Sequence, residues 1–392
     1  MSYLNKLLEG VVVEWKTLGE TCSIKTGKGI TKNDSSDSAP YPIISGGKEP
    51  MGYFEKFNRV ENTVTISRVG ANAGYVSYIE SKFYLNDKCF SVIPIEENKT
   101  KIDSKFLFYI LKAKETSITE LQSEGGVPTI NTTKVGGIKI PIPPLAIQAE
   151  IVRILDTFTE LTAELTAELT ARKKQYNFYR EQLLSFEEGE VNHLPMGDER
   201  IGNFIRGGGL QKKDFTESGV GCIHYGQIYT YYGAYTDKTK SFVSVEFAKK
   251  ARMAKYGDLV IATTSENDED VCKAVAWLGN EEIAVSSDAC FYTHKLNPKY
   301  VAYFFQTEQF QKQKRPFITG TKVRRVNADD IAKIKIPVPS SEEQESIVSI
   351  LDKFDILTTS ISEGLPKEIE LRKKQYEHYR DLLLTFPKNE TA

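Results

Sequence analysis

IKIPIPPLAIQAEIVRILDTFTELTAELTAELTARKKQYNFYREQLLSF, residues 138–186, decides how this chain is built, because the chain contains it twice. The second copy, IKIPVPSSEEQESIVSILDKFDILTTSISEGLPKEIELRKKQYEHYRDLLLTF, spans residues 334–386 and keeps the order of the signals. The offset is 196 residues at IKIP and 200 at RKKQY, so the second copy carries four extra residues, around Glu363, Gly364, Leu365 and Pro366. Internal duplication is therefore the first property to explain. In each copy prolines come first; Pro141, Pro143 and Pro144 fix φ and push their predecessors out of the α region, so a helix begins only after them. From Ile151 onward the apolar or aromatic positions Leu155, Phe158, Leu161, Leu165 and Leu169, then Tyr176, Tyr179, Leu183 and Phe186, step by three or four if Arg172 fills the gap between Leu169 and Tyr176. That is the period of a helix packed along a seam, and about 40 residues make a rod of roughly 60 Å. The economical reading pairs the two copies with each other; two separate dimerisation coiled coils fit the same period.

The 392 residues suffice for two or three domains with full cores, and 40% apolar and 27% charged content is that of an ordinary globular chain. No apolar run is long enough to span a bilayer, and the start, MSYLNKLLEGVVVEW, is no signal peptide, so a cytoplasmic protein without membrane contact is expected. Cys22, Cys89, Cys222, Cys272 and Cys290 form no CxxC pair and suit buried free thiols; with four scattered histidines no zinc site is expected. A net charge of −2 does not advertise a nucleic-acid binder, but charge is uneven, and local patches set the footprint on DNA.

Residues from Leu18 to about Lys139 and from Met196 to about Lys335 each make one domain, and the order of elements repeats. Strand-like segments with tight turns (NTVTISRVG and KCFSVIPI; GDLVIATTS and DACFYTH) precede a helical one, DSKFLFYILKAKET in the first and PKYVAYFFQTEQFQKQ in the second. Residues at the loop tips differ almost completely. The expected fold class is mixed α/β (α+β): two similar domains joined by two long antiparallel coiled-coil helices in an internal pseudo-twofold repeat. The N-terminal YLNKLLEG, Tyr3 to Gly10, is similar to both helix ends, YREQLLSFEEG and YRDLLLTF.

The arrangement resembles the specificity (S) subunit of type I restriction–modification systems. The features that carry the resemblance are the IPxP segment leading to Gln148 and Ile151, with Gln344 and Ile347 in the second copy, the RKKQY…YR…LL segment of both helices, and TAELTAEL at residues 162–169, similar to the subgroup with such tetrapeptides. The resemblance implies a first target-recognition domain at 1–143, a central spacer helix at 144–187, a second recognition domain at 188–339 and a C-terminal spacer helix at 340–392. Each recognition domain would read one half of a split site in double-stranded DNA, and the helices would dock two methyltransferase (M) subunits. It also implies that S-adenosylmethionine sits on the M subunits, that ATP and Mg belong to restriction (R) subunits, and that no cofactor is held by this chain. Gly364 and Pro366 depart from the pattern by interrupting the second helix.

Chemistry within the chain finds no support. An adenine methyltransferase needs an Asn/Asp-Pro-Pro-aromatic segment and a Gly-rich cofactor loop; the nearest strings, Asn297-Pro298-Lys299-Tyr300 and Arg206-Gly207-Gly208-Gly209, meet neither need, and no phosphate loop occurs. Asp258, Glu269 and Lys273 are unhelpfully spaced for a metal nuclease. In the first domain, residues 68–74 (RVGANAG) allow a turn that brings Arg68 and Asn72 to DNA, and equally a hairpin needed only for folding. Ser45-Gly46-Gly47-Lys48 reads as a phosphate contact, with Lys48 the cation, or as a plain turn. In the second domain Tyr225, Gln227, Tyr229, Tyr231 and Tyr232 form an aromatic loop, with Arg206, Lys212 and Lys213 upstream; Gln pairs with adenine, and Arg or Lys with guanine or phosphate. Lys322, Arg324 and Arg325, with Lys312, Lys314 and Arg315, form a further basic group. Three functions stay open: a DNA-specificity module, a coiled-coil scaffold joining two protein-binding domains, and an enzyme.

Overall fold

The computed structural model describes residues 6–123, 126–187, 189–360 and 362–387. It divides into two compact units, Met1–Glu164 with Ile369–Ala392, and Leu165–Glu368. The first long helix, Leu145–Leu183, begins in unit 1 and ends in unit 2. The second helical stretch begins in unit 2 and ends in unit 1, so the two run in opposite senses.

In unit 1 a four-stranded antiparallel sheet places Cys22–Thr26, Cys89–Pro94, Thr63–Ser67 and Val76–Ile79 side by side. A smaller sheet sets Tyr41–Ile44 between Tyr53–Phe54 and, in parallel, Tyr84–Leu85. Thr63–Ser67 is buried at every position, which explains why TVTIS reads as a continuous β-rich run and not as an alternation. Ser104–Ala113 then packs Phe106, Leu107 and Ile110 into the core, its N-terminus capped by Asp103.

Unit 2 repeats the plan with more strands. Gly202–Arg206, Ala289–His294, Leu259–Ala262, Ala274–Trp277 and Tyr235–Thr236 form one sheet, and Ile283–Val285 lies parallel to Val220–Ile223 in the other. The registers coincide: Ser67 faces Cys89 as Ala262 faces Ala289, Thr26 faces Phe90 as Arg206 faces Cys290, and Ile44 faces Leu85 as Ile223 faces Val285.

The IKIP segments are strands. Lys139–Ile142 pairs with Glu14–Thr17, and Lys335–Val338 with Asn192–Pro195, each in a two-stranded sheet whose edge tolerates Pro141 and Pro337. The glutamine that follows fastens each helix to its unit. Gln148 accepts from the Asp103 N–H at 2.9 Å and donates to Pro143 O at 2.6 Å; Gln344 accepts from the Asn297 N–H at 2.8 Å and donates to Pro339 O at 2.9 Å. Two turns further on, Tyr109 donates to Asp156, and Tyr303 to Asp352.

Each unit also contains its own seam between the long helices. In unit 1 Phe158 stacks on Tyr379 with ring centroids 5.1 Å apart, and in unit 2 Phe354 stacks on Tyr179 at 5.5 Å. The second helix is interrupted, but slightly upstream of the expected place. Ser341–Thr359 ends before Ser360, and Gly364–Leu384 resumes with Gly364 and Pro366 in its first turn, where proline's missing N–H costs nothing. Gly364 has φ +80°, and a Cβ there would sit 2.4 Å from Ile356 O, so only glycine fits. Of the YLNKLLEG segment, Tyr3, Leu4 and Asn5 lie outside the described residues; Leu8 packs on the unit 1 core that also takes Leu383 and Leu384.

All five cysteines are free and buried, and burial pushes the Cys272 thiol up to about 12. Among the described residues no helix is long and apolar enough to cross a membrane, and no His, Cys, Asp and Glu residues gather into a metal site.

His294, its ring tilted against Tyr292 with centroids 4.8 Å apart at the end of its strand, is held down to about 4 by burial. The fold therefore favours the neutral ring. Its contribution is complete above the ordinary histidine pKa near 6.5 and is lost as pH falls toward 4. Unit 2 should lose about 2 kcal/mol between pH 7 and pH 5 from this group. Urea unfolding at the two pH values should show that loss in the wild type and its absence in His294→Phe.

Candidate nucleic-acid interface

In unit 1 the expected residues meet around the ends of two neighbouring strands. Arg68 follows Thr63–Ser67, its N–H donating to Lys88 O at 2.9 Å and its Nη1 to Asp87 O at 3.0 Å, with the guanidinium 5.7 Å from the Phe90 ring centre. Gly70 and Gly74 take φ +98° and +99°, and a Cβ at Gly74 would strike Thr119. The RVGANAG segment is thus a turn that glycine makes possible. Asn72 donates through Nδ2 to Gly46 O at 3.2 Å, tying this turn to residues 45–48, and Gly46 itself leaves no room for a Cβ against Val69 O. Lys48 is exposed beside that junction, 5.7 Å from the Tyr75 ring centre. Arg68, Asn72 and Lys48 therefore belong to one edge, although only Lys48 stands free in solvent.

In unit 2 the corresponding edge gathers Arg206, the aromatic loop and the 324–325 strand. Tyr225 N–H donates to Ser286 Oγ at 2.9 Å, and Tyr229 OH to Thr264 O at 2.7 Å. Thr264 pairs with Arg325, and Ser265 with Arg324. A cavity of about 790 Å³ has Arg206, Ser287, Asp288, Arg325 and Lys333 in its wall, so residues more than a hundred positions apart share one concavity. Its charge is mixed, since Asp329 and Asp330 also line it and Lys333 pairs with Asp330 at 2.7 Å. Lys212 and Lys213 are exposed in a short 3₁₀ turn, and Lys212 lies close enough to His224 to add to the burial that lowers that imidazole's pKa. A larger cavity, about 1060 Å³ in unit 1, shares no residue with the edge around Arg68.

Four expectations change at this level. Lys314 is fully buried, its ammonium donating to Val271 O at 2.8 Å and Glu269 O at 3.0 Å, so it holds a loop and offers no charge to DNA. Burial also pulls its pKa down. Gln227 spends its amide at both ends, accepting from the His224 N–H and donating to Ser241 Oγ at 2.7 Å, which leaves no free fork for adenine. The Tyr229 hydroxyl is committed to Thr264 O, and burial raises its pKa; the exposed ring of this loop is Tyr231, with Lys240 Nζ 4.7 Å from its centre. Arg324 and Arg315 are exposed to differing degrees but ion-paired, to Asp268 at 2.8 Å and to Glu308 at 3.2 Å, whereas Lys322 stands open in the turn after Gly320. The residues that sequence reading passes over are Asp87, Lys88, Ser287 and Asp288. They carry no local motif and reach the edge only through strand pairing.

The strings weighed for chemistry are structural. Asn297 caps the helix Pro298–Phe304, accepting from the N–H groups of Lys299 and Tyr300. Gly207 permits a backbone approach in which a Cβ would lie 2.0 Å from Ser286 O. Asp258 is buried and accepts from the Lys255 N–H at 2.8 Å, the role of a turn residue.

The family described as Type I restriction modification DNA specificity domain matches twice, over residues 12–172 and 201–371. The specificity subunit of the Escherichia coli type I restriction enzyme EcoR124I/EcoR124II is 34% identical over 409 aligned positions, covering 100% of this chain and 99% of that one. The MjaVIII specificity subunit of Methanocaldococcus jannaschii is 25% identical, covering 92% and 89%. In fold the chain is similar to the crystal structure of a type I restriction–modification S subunit from M. genitalium, with a TM-score of 0.61 at 18% identity over 99% of this chain and 100% of that one. With a duplicated family match and a relative aligned end to end at more than 30% identity, this chain belongs to the specificity subunits of type I restriction–modification systems.

Proposed function

We propose that each unit reads one half of an asymmetric, bipartite site in double-stranded DNA, and that the long helices set the spacer between the halves. The observation that carries this reading is a repeat identical in strand register and unlike at its loop edges: Lys48, Arg68 and Asn72 in one unit, Arg206, Tyr231, Lys322 and Arg325 in the other. Segments 1–143 and 188–339 would be the recognition domains, and 144–187 and 340–392 the spacers, and the TAEL repeat supports membership of the subgroup with tetrapeptide spacers. The partners would be DNA, two methyltransferase (M) subunits holding S-adenosylmethionine, and restriction (R) subunits using ATP and Mg, all in the cytoplasm. A scaffold joining two protein-binding domains is disfavoured by the family to which the chain belongs. Copurification with a larger S-adenosylmethionine-binding subunit, and adenine methylation by that complex but by neither part alone, tests the proposal; methylation by the isolated chain would refute it.

The basic loop offers a narrower test. Removing Lys322, Arg324 and Arg325 together by alanine substitution should weaken DNA binding and make the dependence of log affinity on log salt shallower by about 0.9 for each phosphate that is no longer neutralised. Arg324 should contribute least, being tied to Asp268. Lys314→Met should leave the salt slope unchanged, because that charge is already buried. An unaltered slope in the triple variant would place the loop away from DNA.

A further inference from the structure

Arg68 and Arg206 look unrelated in the sequence, 138 residues apart and on different kinds of segment. Strand register gives them one address. In both units a central strand, Cys89–Pro94 or Ala289–His294, is flanked by two antiparallel partners. On one side, Thr26 faces Phe90 and Arg206 faces Cys290, so Thr26 and Arg206 are equivalent. On the other side, Arg68 N–H donates to Lys88 O and Thr263 N–H to Asp288 O, so Arg68 and Thr263 are equivalent. Arginine and threonine have changed places between the units.

Despite the exchange, both guanidinium groups come to the same carbonyl from opposite flanks. Arg68 Nη1 donates to Asp87 O at 3.0 Å, and Arg206 Nε makes a long contact of 3.5 Å with Ser287 O, the residue in the equivalent position. A second arginine steadies the strand end in each unit, Arg59 donating to Thr26 O at 3.0 Å and Arg252 to Arg206 O at 2.8 Å. If the fold required an arginine there, it would require it on one particular strand. What the two units share is the place of the guanidinium and not the strand that supplies it, which is what a common ligand demands. The residues beside it differ, Asp87 and Lys88 in one unit and Ser287 and Asp288 in the other, as they would if the neighbouring bases differ.

We propose that Arg68 and Arg206 are equivalent DNA-contacting arginines, one for each half-site, each offering its N–H donors to paired acceptors on DNA, the O6/N7 edge of guanine or a phosphate. The inference rests on the specificity reading above.

The test assembles the full chain with its cognate methyltransferase subunit and maps methylated sites for Arg68→Ala, Arg206→Ala, the two lysine variants, and Arg206→Thr with and without Thr263→Arg. If the contact is to guanine, each alanine variant should relax one base position in its own half-site, by roughly 5- to 150-fold in discrimination, and leave the other half intact. If it is to phosphate, base preference should be kept while binding weakens and the salt slope becomes shallower by about 0.9. Lysine should restore the phosphate contact in full but the paired contact to guanine only in part, since it lacks the rigid planar fork of arginine. Thr263→Arg should recover part of what Arg206→Thr loses, since it rebuilds the arrangement of unit 1. Unchanged sites and affinity in both alanine variants, both variants altering the same half-site, or no recovery by Thr263→Arg would overturn the inference. Melting of each variant beside the wild type separates these effects from misfolding; if an alanine variant melts early, the lysine pair decides. A wild-type complex with no split site would refute the specificity reading itself, and this inference with it.

Discussion

A second copy of residues 166–169, inserted after Leu169, should move methylation from the native sites to sites whose non-specific spacer is one or two base pairs longer, with both half-sites unchanged. Four helical residues add about 6 Å, at most two base pairs of B-DNA, and any inclination of the rod to the duplex would reduce the gain. The helix seams suggest that the insertion can be accommodated. From one stacked aromatic to the next the first helix advances 21 positions, Phe158 to Tyr179, and the second stretch 25, Phe354 to Tyr379. The surplus of four coincides with the interruption between Thr359 and Gly364. Adding four residues to the first helix makes the counts equal, so the interrupted segment can extend and neither seam need slip. A mapped methylation pattern with the original spacer, or with an altered half-site, would contradict the proposal that the helix sets the spacing.

Gln148→Leu should destabilise unit 1 by about 4 kcal/mol, and Gln344→Leu should destabilise unit 2 by about 3 kcal/mol. Gln148 is fully buried and satisfies one N–H and two carbonyls, of Asp103, Lys101 and Pro143; leucine has the bulk but takes the partner from all three polar groups, the Pro143 contact being buried and the other two partly buried. Gln344 satisfies two, of Asn297 and Pro339, hence the smaller loss. Because the chain forms two units, each substitution should lower the denaturation midpoint of its own unit more than that of the other, which hydrogen exchange resolved along the chain will show. Equal weakening of both units by either variant would contradict the local role of the glutamine.

These two glutamines mark how much the sequence discloses. The repeat, the helices and their offset are legible because IKIP, RKKQY and the seam residues lie in register along the chain, and the periodicity of a helix is a local property. That Gln148 and Gln344 matter is visible as a repeated letter; what they hold is not, since Asp103 and Asn297 are 45 and 47 residues upstream. The interruption of the second helix is legible from Gly364 and Pro366, but its place is not, because glycine with positive φ and proline in a first turn serve the restart as well as a break. At the candidate interface, composition finds the basic and aromatic clusters and misreads their members. Lys314 and Arg315 are adjacent letters, yet one ammonium lies in the core and the other side chain in solvent. Gln227 looks available only until the His224 backbone and Ser241 are placed around it. The Arg68 and Arg206 equivalence is invisible in one dimension, because loop insertions and the exchange of strands destroy any constant offset.

The most direct measurement is the map of N6-methyladenine in a host that carries the cognate methyltransferase subunit, with and without this chain. Two unlike recognition units predict methylation that appears only with the chain and falls on an asymmetric site of two specific halves separated by a fixed non-specific spacer. Methylation at a single continuous or palindromic site, or a pattern independent of the chain, would contradict it.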